Sequence, residues 1–318
     1  MDRRESLHQQ FKGETAALLP LLLRSGVQDV LLNGLESAYV DCGDGLRPVA
    51  PPFDSLAALR AAIERMVIPT GRRLEFARPY VDGRLADGSR FHVFLPPLAH
   101  PGPLVSVRVF SGGLGAKIDD FGDRAQIQWL IDQVRARRSL LIAGATRSGK
   151  TSILGCLLDG VPHSERILVL EETREICSSH PHAIYLETRT SSAEGVGEVT
   201  LGTLVRNALR MRPDRIVLGE CRGAEALDLL QALNTGHPGS FCTLHADSAR
   251  AALRRLESML WQANPRLRLG VVREWIGFGI GGVAFLRRDG DGNRRISELL
   301  EVRGAEGTVY RLRPVLSN

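Results

Sequence analysis

The stretch SLLIAGATRSGKTSILGCLLDG, residues 139–160, decides the fold. It begins with a short apolar run, which predicts a buried strand, and it ends with apolar residues at helical spacing. Between them, GATRSGKT at residues 144–151 matches the pattern G-x-x-x-x-G-K-[ST]. That pattern requires a strand, a loop and a helix in this order, because N–H groups of the loop and the helix start surround phosphates. The sequence therefore predicts a P-loop in an α/β domain.

Two residues of the loop have specific expected roles. Lys150 can reach the β- and γ-phosphates of a nucleotide, and the Thr151 hydroxyl can ligate Mg²⁺. Arg147 is unusual, because a left-handed backbone suits glycine better than arginine. Its backbone has an ordinary φ, or its side chain contacts a phosphate, or the side chain faces solvent. The residues expected to hold the nucleotide are Gly144, Ala145, Thr146, Arg147, Ser148, Gly149, Lys150, Thr151 and Ser152.

Two further apolar runs end in acids. DRIVLGE, residues 214–220, has the form of a Walker B strand and places Glu220 at the carboxyl edge of the sheet. There a carboxylate can orient and deprotonate the attacking water, or hold the water shell of Mg²⁺. RILVLEETREI, residues 166–176, ends in Glu171 and Glu172, which can hold metal-bound water. A charged surface loop is the alternative interpretation for each run.

A fourth segment carries two histidines. In TGHPGSFCTLHADS, residues 235–248, His237 and His245 flank a predicted strand. His245 ends that strand, so it can approach the γ-phosphate and respond to its loss. A packed or exposed histidine without such a role is the alternative.

The length of 318 residues favours two domains. Residues 1–110 combine a predicted hairpin at 28–40 with a predicted helix at 54–68, which indicates a small α+β domain. Glycine-rich residues 111–122 are the predicted linker. In residues 123–318, helices alternate with continuously apolar strands, which predicts a mostly parallel sheet covered on both faces.

Composition restricts the class of protein. The net charge is +5, and the arginines are spread along the chain. This spread favours ion pairs and phosphate contacts over a nucleic-acid-binding arm, so nucleic acid is not an expected partner, although a weakly basic surface can still contact DNA or an anionic membrane. None of the five cysteines forms a C-x-x-C pair, so no zinc site is expected. The longest uncharged run, residues 275–286, is shorter than the about 20 residues of a membrane span.

The four sites occur in a characteristic order. They are the P-loop, an acidic box at residues 166–176, the Walker B strand and a histidine box at residues 235–248. This order resembles that of the type II/type IV secretion ATPase superfamily. The resemblance extends over residues 204–249, LVRNALRMRPDRIVLGECRGAEALDLLQALNTGHPGSFCTLHADSA. GRRLEFARPYVDGRLADGSRFHV at residues 71–93 is most similar to the CpaF/TadA-like branch, the motor ATPases of Flp (tight adherence) pili. The chain also resembles conjugation-type secretion ATPases.

The resemblance implies a homohexamer that binds ATP and Mg²⁺ between a PAS-like N-terminal domain and a RecA-like C-terminal domain. It implies a cytoplasmic motor, peripheral at the inner face of the cell membrane, acting on a platform protein of that membrane. The residues that it assigns to the site are Glu171, Glu172, Arg174, Glu220, His237, His245, and the N-domain arginines Arg90 and Arg108 with Arg84 behind them. Thr151, Glu172 and Glu220 are the implied metal contacts. The chain departs from the family at Arg147, where glycine is usual, and in its Glu-Glu acidic box.

The expected function is Mg²⁺-dependent ATP hydrolysis that powers pilus assembly or protein secretion. One alternative is a DNA-translocating or conjugation-associated RecA-like motor, which DNA-stimulated hydrolysis would favour. Another is a scaffold that binds ATP with little turnover. Arg147 favours the scaffold, whereas Glu220 argues against it.

Overall fold

The protein divides into two compact units, Met1–Ser111 and Gly112–Asn318. The computed structural model describes residues 3–43, 45–110, 117–189, 191, 196–290, 292–307 and 309–315. Each unit has its own apolar core.

The first unit is an antiparallel sheet with helices on one face. Its elements are α1 (Arg3–Gln10), α2 (Leu19–Leu22), β1 (Asp29–Asn33), β2 (Ser37–Asp41), β3 (Leu46–Val49), α3 (Leu56–Val67), β4 (Tyr80–Arg84), β5 (Arg90–Phe94) and β6 (Leu104–Arg108). The strands lie in the order β3-β2-β1-β6-β5-β4, and each neighbouring pair is antiparallel. The predicted hairpin, helix and α+β class are confirmed.

Alternation along the strands explains why one face is buried. In β5 and β6, every second residue is apolar and buried, as Val93 and Val107 are, and in β4 Val81 is buried in the same way. These residues share a core with the apolar face of α3, which begins where the Ser55 hydroxyl accepts a hydrogen bond from the Ala58 N–H. The intervening residues lie on the opposite face, which the helices leave uncovered.

The second unit is a mixed sheet between two layers of helices. Its elements are α4 (Arg124–Arg135), β7 (Leu140–Gly144), α5 (Lys150–Asp159), β8 (Ile167–Glu171), β9 (Ala183–Glu187), α6 (Leu201–Ala208), β10 (Arg215–Leu218), α7 (Glu225–Asn234), β11 (Phe241–Leu244), α8 (Ala249–Ala263), α9 (Leu269–Gly279), β12 (Gly282–Arg288), β13 (Arg294–Glu306) and β14 (Val309–Pro314).

The strands of this sheet lie in the order β14-β13-β12-β7-β11-β10-β8-β9. From β12 to β9 all neighbours are parallel, while β13 and β14 add an antiparallel edge. Helices α4 and α5 cover one face, and α6 to α9 cover the other. Strands β7 and β8 are therefore buried throughout, as their apolar sequences predict. The predicted mostly parallel sheet is confirmed.

Part of the predicted linker belongs to the second unit. Residues 117–122 include a short 3₁₀ helix, Ile118–Phe121, whose Phe121 is buried in the core beside α4 and α5. Residues 111–116 lie outside the described residues. The glycines of 111–122 suggested a linker, but one aromatic side chain anchors the last residues of this segment.

Arg215, at the start of β10, is completely buried. Its Nε and Nη2 donate to the two carboxylate oxygens of Glu165 at 2.8 and 3.1 Å. The same guanidinium donates to the carbonyl oxygens of Val134 and Gly239, at 2.9 and 3.1 Å. One cation thus joins α4 to the segments before β8 and β11, at the sheet edge where the strands begin.

We expect Arg215→Met to destabilise the protein by about 3–5 kcal/mol, because it removes the buried cation that pairs with Glu165 and the side-chain donor to the Gly239 carbonyl. Arg206→Met is the matched control. The Arg206 pair with Asp228 (2.8 Å) is largely exposed, so its loss should cost at most about 1 kcal/mol. Urea unfolding measures both values, and similar losses in the two variants would contradict the anchoring role of Arg215.

Candidate functional site

The phosphate-binding loop starts where β7 ends. A Cβ on Gly144 would lie 2.6 Å from the Leu286 carbonyl oxygen, and one on Gly149 would lie 2.9 Å from both Phe121 and Arg294. Both positions therefore require glycine. Arg147 has a φ of 65°, which is left-handed. An ordinary φ for Arg147, one of the alternatives above, is wrong, and the residue occupies a conformation that suits glycine.

Lys150 opens α5 and is buried under the loop. Its Nζ donates to the carbonyl oxygens of Gly144 (3.0 Å) and Ala145 (2.8 Å). Burial lowers the pKa of Lys150, and the nearby Glu220 carboxylate opposes that shift. Ser148 is also buried, and its Oγ has no hydrogen-bond partner among the described residues. The loop thus encloses the Lys150 cation, whose hydrogen bonds go to loop carbonyls, and the Ser148 hydroxyl, which has no partner among the described residues.

The remaining loop residues surround this cation. Ala145 and Thr146 are exposed, while Thr151 and Ser152 are half-buried in the first turn of α5. The Ser152 Oγ lies 3.4 Å from Arg294 Nη1, its donor. The start of α5 thus combines free helix N–H groups with hydroxyls, as a phosphate or Mg²⁺ site requires.

Glu220 follows β10 at the same edge of the sheet, because β10, β11 and β7 are parallel neighbours. Its Oε2 accepts a hydrogen bond from Arg222 Nη2 at 2.7 Å. Arg222 also donates through Nη1 to Glu172 Oε2 at 2.9 Å. One guanidinium therefore ties the Walker B carboxylate to the acidic box.

His245 lies on the other side of Glu220. Its Nε2 is 3.0 Å from Glu220 Oε1, but the two groups lack the alignment of a hydrogen bond, and Glu220 Oε1 is buried without an aligned donor among the described residues. Burial and the nearby Lys150 cation lower the pKa of His245, so the imidazole is neutral near pH 7. The contact between His245 and Glu220 is thus not an ion pair at that pH.

The charge of Glu220 reflects opposing effects. Burial favours the neutral acid, but the hydrogen bond and charge of Arg222, together with the nearby His245 and Lys150, outweigh it, so the pKa of Glu220 is lowered. Glu220 is therefore ionised near pH 7, with one oxygen on Arg222 and the other beside His245. An ionised carboxylate in this position can accept a proton from water.

Arg222 is the functional candidate that sequence reasoning missed. Its backbone N–H, and that of Gly223, donate to Glu225 Oε1 at 2.6 and 2.8 Å, so the first residue of α7 fixes the turn that presents Arg222. The available signal was its position two residues after Glu220, with an acid three residues further on. A surface arginine has the same local pattern, so only the contacts to two carboxylates identify it.

Glu171 lies at the expected edge but does not face the loop. The side chain is buried, and Oε1 accepts hydrogen bonds from the N–H groups of Glu175 (2.9 Å) and Ile176 (3.0 Å). Burial raises the pKa of Glu171 to about 7, although those two hydrogen bonds act in the opposite direction. In this position the carboxyl is a buried acceptor that shapes the turn after β8, and the catalytic role assigned to Glu171 stays a prediction. Of the two adjacent acids, only Glu172 contacts the Glu220 group.

Two other assigned residues point elsewhere. Arg174 places its guanidinium carbon 4.2 Å from the centre of the Tyr185 ring, on the β9 side of the sheet. His237 precedes β11, and its carbonyl oxygen accepts from Ser240 Oγ. Because β11 runs parallel to β7, His237 lies at the edge opposite the P-loop and cannot join that site within the same unit. Two histidines that flank one strand necessarily lie at opposite edges.

The N-terminal arginines form a row across three strands. Arg84 pairs with Arg90 across β4 and β5, and Arg90 pairs with Arg108 across β5 and β6, so all three share one sheet face. Arg108 Nε donates to Asp29 at 3.0 Å. Their approach to the phosphates stays a prediction.

The residue set of the second unit fits Mg²⁺ and ATP. Lys150 can exchange two carbonyl partners for phosphate oxygens, and Ser148 Oγ has no competing partner among the described residues. Thr151, Glu172 and Glu220 supply the oxygen ligands that Mg²⁺ and its water shell prefer. This edge of the sheet can therefore bind a triphosphate and polarise a water molecule beside it.

We expect Arg147→Gly to be more stable than Arg147→Ala by about 1 kcal/mol, because both variants lose the side chain but only glycine is relaxed at φ 65°. Urea unfolding of the two variants measures this difference. Equal stabilities, or a more stable alanine variant, would contradict a strained residue 147.

We expect Glu171→Gln to change the pH dependence of stability. The native carboxyl holds its proton up to about pH 7, whereas the unfolded chain releases it near 4.5. The resulting stabilisation is full below the unfolded value and is lost as pH rises through the folded value, on the order of 2 kcal/mol. The natural protein should thus lose more stability than Glu171→Gln between about pH 5 and about pH 8 in urea unfolding. Parallel pH profiles would show that Glu171 is ionised in the native state.

The fold is shared with solved structures of an ATPase and of a pilus retraction motor. The ATPase DotB of Legionella pneumophila aligns with a TM-score of 0.65 and 22% identity, over 86% of this chain and 77% of DotB. The pilus retraction motor PilT aligns with a TM-score of 0.64 and 20% identity, over 90% of this chain and 82% of PilT. These alignments confirm the predicted RecA-like P-loop fold.

Sequence relatives identify the family. A Mycobacterium tuberculosis protein named for conjugal transfer, MT3759, is 39% identical over 92% of this chain and 85% of its own length. The conjugal transfer protein TrbB of Rhizobium radiobacter is 32% identical over 90% and 86% of the two chains. Residues 12–271 match the family model described as type II/IV secretion system protein. The chain therefore belongs to the type II/IV secretion system protein family, and this membership supports the expected ATPase activity.

Proposed function

We propose that this protein is a Mg²⁺-dependent ATPase that acts as a motor of a secretion or pilus system. The observation that carries the proposal is the meeting of Lys150 and Glu220 at one sheet edge, beside the N-terminus of α5. A phosphate-binding cation and an ionised carboxylate are the two groups that hydrolysis of a phosphoanhydride needs. Family membership supports the same activity.

Binding of ATP follows from the loop. The N–H groups at the start of α5 and the partial positive charge of the helix end attract the phosphates. Lys150 Nζ leaves the carbonyl oxygens of Gly144 and Ala145 for phosphate oxygens, so one set of contacts replaces another. The buried Ser148 Oγ gains the partner that it lacks among the described residues. On binding ATP, Lys150 thus changes its hydrogen-bond partners and Ser148 gains one.

Hydrolysis follows from the acids. Glu220 orients the attacking water and accepts its proton through the oxygen beside His245. Arg222 holds the other oxygen of Glu220 and links it to Glu172, which keeps both carboxylates in place. Thr151, Glu172 and Glu220 would hold Mg²⁺, which would supply charge neutralisation on the phosphates. The neutral His245 contacts Glu220 and can report the state of the γ-phosphate.

The motor role includes partners. We infer a homohexamer at the inner face of the cell membrane that acts on a membrane-embedded platform protein. The names of the relatives, which include the type IV secretion system protein PtlH of Bordetella pertussis, support work with a secretion machine. Within the described ranges, no helix is both long and apolar enough to cross a membrane. The Flp-pilus branch, the PAS-like character of the first unit and the assignment of Arg84, Arg90 and Arg108 remain predictions.

A second candidate is a motor for DNA transfer. The relatives from Mycobacterium tuberculosis and Rhizobium radiobacter are both named for conjugal transfer. They match 92% and 90% of this chain, respectively. Hydrolysis that DNA stimulates would favour this candidate over protein secretion.

The test of the proposed function is Mg²⁺-dependent phosphate release from ATP over a series of protein concentrations. Glu220→Gln should keep ATP binding and lose at least about 100-fold in turnover, because an amide cannot accept the proton of water. Lys150→Ala should lose ATP binding, because the loop loses its phosphate cation. Glu274→Gln, at an exposed position of α9, is the matched control and should behave as the natural protein does.

The results separate the alternatives. Turnover per subunit that rises with protein concentration supports a multi-subunit motor. Tight ATP binding without turnover in the natural protein would favour the scaffold. Near-normal turnover in Glu220→Gln would remove this residue from the role of base.

A further inference from the structure

The open face of the N-terminal sheet carries a group of aromatic rings at its β4–β5 edge. Tyr80 and Phe94 pair directly across the two strands, and His92 lies one same-face position along β5. The ring centres of Tyr80 and Phe94 are 5.8 Å apart, and those of His92 and Phe94 are 4.7 Å apart. The Tyr80 and His92 rings are stacked at 6.5 Å, with 26° between their planes. The three rings form a continuous platform on the sheet.

This platform is accessible. Tyr80 is 40% exposed and Phe94 is 36% exposed, although each also packs against the other rings. Phe76, shortly before β4, is 86% exposed. The buried face of the same strands packs on the helices through Val81, Val93 and similar residues, so these rings have no part in the core. Large apolar side chains that stay exposed on a sheet face mark an interaction surface.

The chain segment that carries this platform is rich in arginine. Residues 72–94 contain five arginines and three acids. Two of the acids already have cationic partners, since Asp82 accepts from Arg72 at 2.9 Å and Asp87 accepts from Arg3 at 2.8 Å. The Arg78 guanidinium lies 5.6 Å from the centre of the Tyr80 ring. Positive charge therefore borders the rings, and the partner that it complements is an anion with flat groups.

We propose that this face binds single-stranded nucleic acid, with unpaired bases stacked on Tyr80, His92 and Phe94 and the phosphate backbone held by the exposed arginines Arg73 and Arg78. Each base has a flat π face, and stacking on an aromatic side chain tolerates any sequence. A duplex hides its base faces, so only a single strand can use the platform. The proposal concerns the first unit and does not depend on the nucleotide site of the second.

Sequence alone did not predict this surface, because the basic residues are spread along the chain and no tail collects them. The antiparallel pairing of β4 with β5 brings together rings that are 12 to 14 residues apart. A second copy of this protein could also cover an apolar face, but it would need no flat rings and no bordering arginines. Variants that remove the rings or an arginine therefore distinguish the two occupants.

The experiment measures binding of a fluorescein-labelled oligothymidylate of about 20 nucleotides to the full chain by anisotropy, in low salt and without ATP. A duplex of the same length is the comparison ligand. The variants are Tyr80→Ala/Phe94→Ala and Tyr80→Leu/Phe94→Leu. Phe278→Ala removes an exposed aromatic residue of the second unit and is the matched control. Circular dichroism confirms that each variant is folded.

We expect the single strand to bind more tightly than the duplex, and both double variants to weaken that binding by about 10-fold or more. Leucine keeps the apolar surface but not the flat ring, so loss of binding in both variants identifies stacking. Phe278→Ala should bind as the natural protein does. Arg78→Ala should weaken binding and reduce its dependence on salt.

Three results would overturn the proposal. The first is absence of oligonucleotide binding in low salt, and the second is binding that neither double variant changes. The third is a leucine variant that behaves as the natural protein does while the alanine variant fails, which indicates apolar docking. If light scattering then shows that only the alanine pair changes the oligomeric state, the face is an interface between copies of this chain.

Discussion

Parallel pairing of β7, β8, β10 and β11 is the constraint on which the site depends. When four neighbouring strands run in the same direction, all their carboxyl ends meet at one edge, so whatever follows each strand is brought together. The loop after β7, the acids after β8 and β10, and the histidine after β11 are far apart in sequence and adjacent in the fold. The same constraint sends His237 to the opposite edge, because it precedes β11 instead of following it.

The charges at this edge neutralise one another before any ligand binds. Lys150 is held by loop carbonyls, Glu220 by Arg222, and Arg222 also by Glu172. A buried cation and a partly buried carboxylate would each be costly without partners, so these contacts stabilise this edge of the sheet. A triphosphate can replace the contacts of Lys150 with the Gly144 and Ala145 carbonyls, whereas the contacts of Arg222 keep both carboxylates in place. Arg222 is therefore as much a part of this site as Lys150 and Glu220, which the sequence motifs predict.

The two units use their sheets differently. The second unit buries both faces of its sheet and uses the edge. The first unit buries one face, which leaves the other free to carry the row of Arg84, Arg90 and Arg108 and the platform of Tyr80, His92 and Phe94. An antiparallel sheet tolerates this arrangement, because its alternating side chains separate an apolar face from a polar one. Sheet edges and open faces, not the cores, thus carry the chemistry in both units.

The amino-acid sequence by itself determined the classes of the two units, the P-loop, the Walker B acid and the expected family. Those features are local, because a strand, a loop and a helix follow one another directly in the chain. Only the tertiary structure decided which of two adjacent acids faces the site. Glu171 turns to the N–H groups of Glu175 and Ile176 while Glu172 meets Arg222, and a spacing of one residue cannot show this. The tertiary structure also decided that Arg147 is left-handed and that Arg174 lies on Tyr185. It likewise joined the rings of β4 and β5 into one surface. The physical reason is the same in each case: side-chain direction and cross-strand register come from packing between distant segments, which local sequence does not specify.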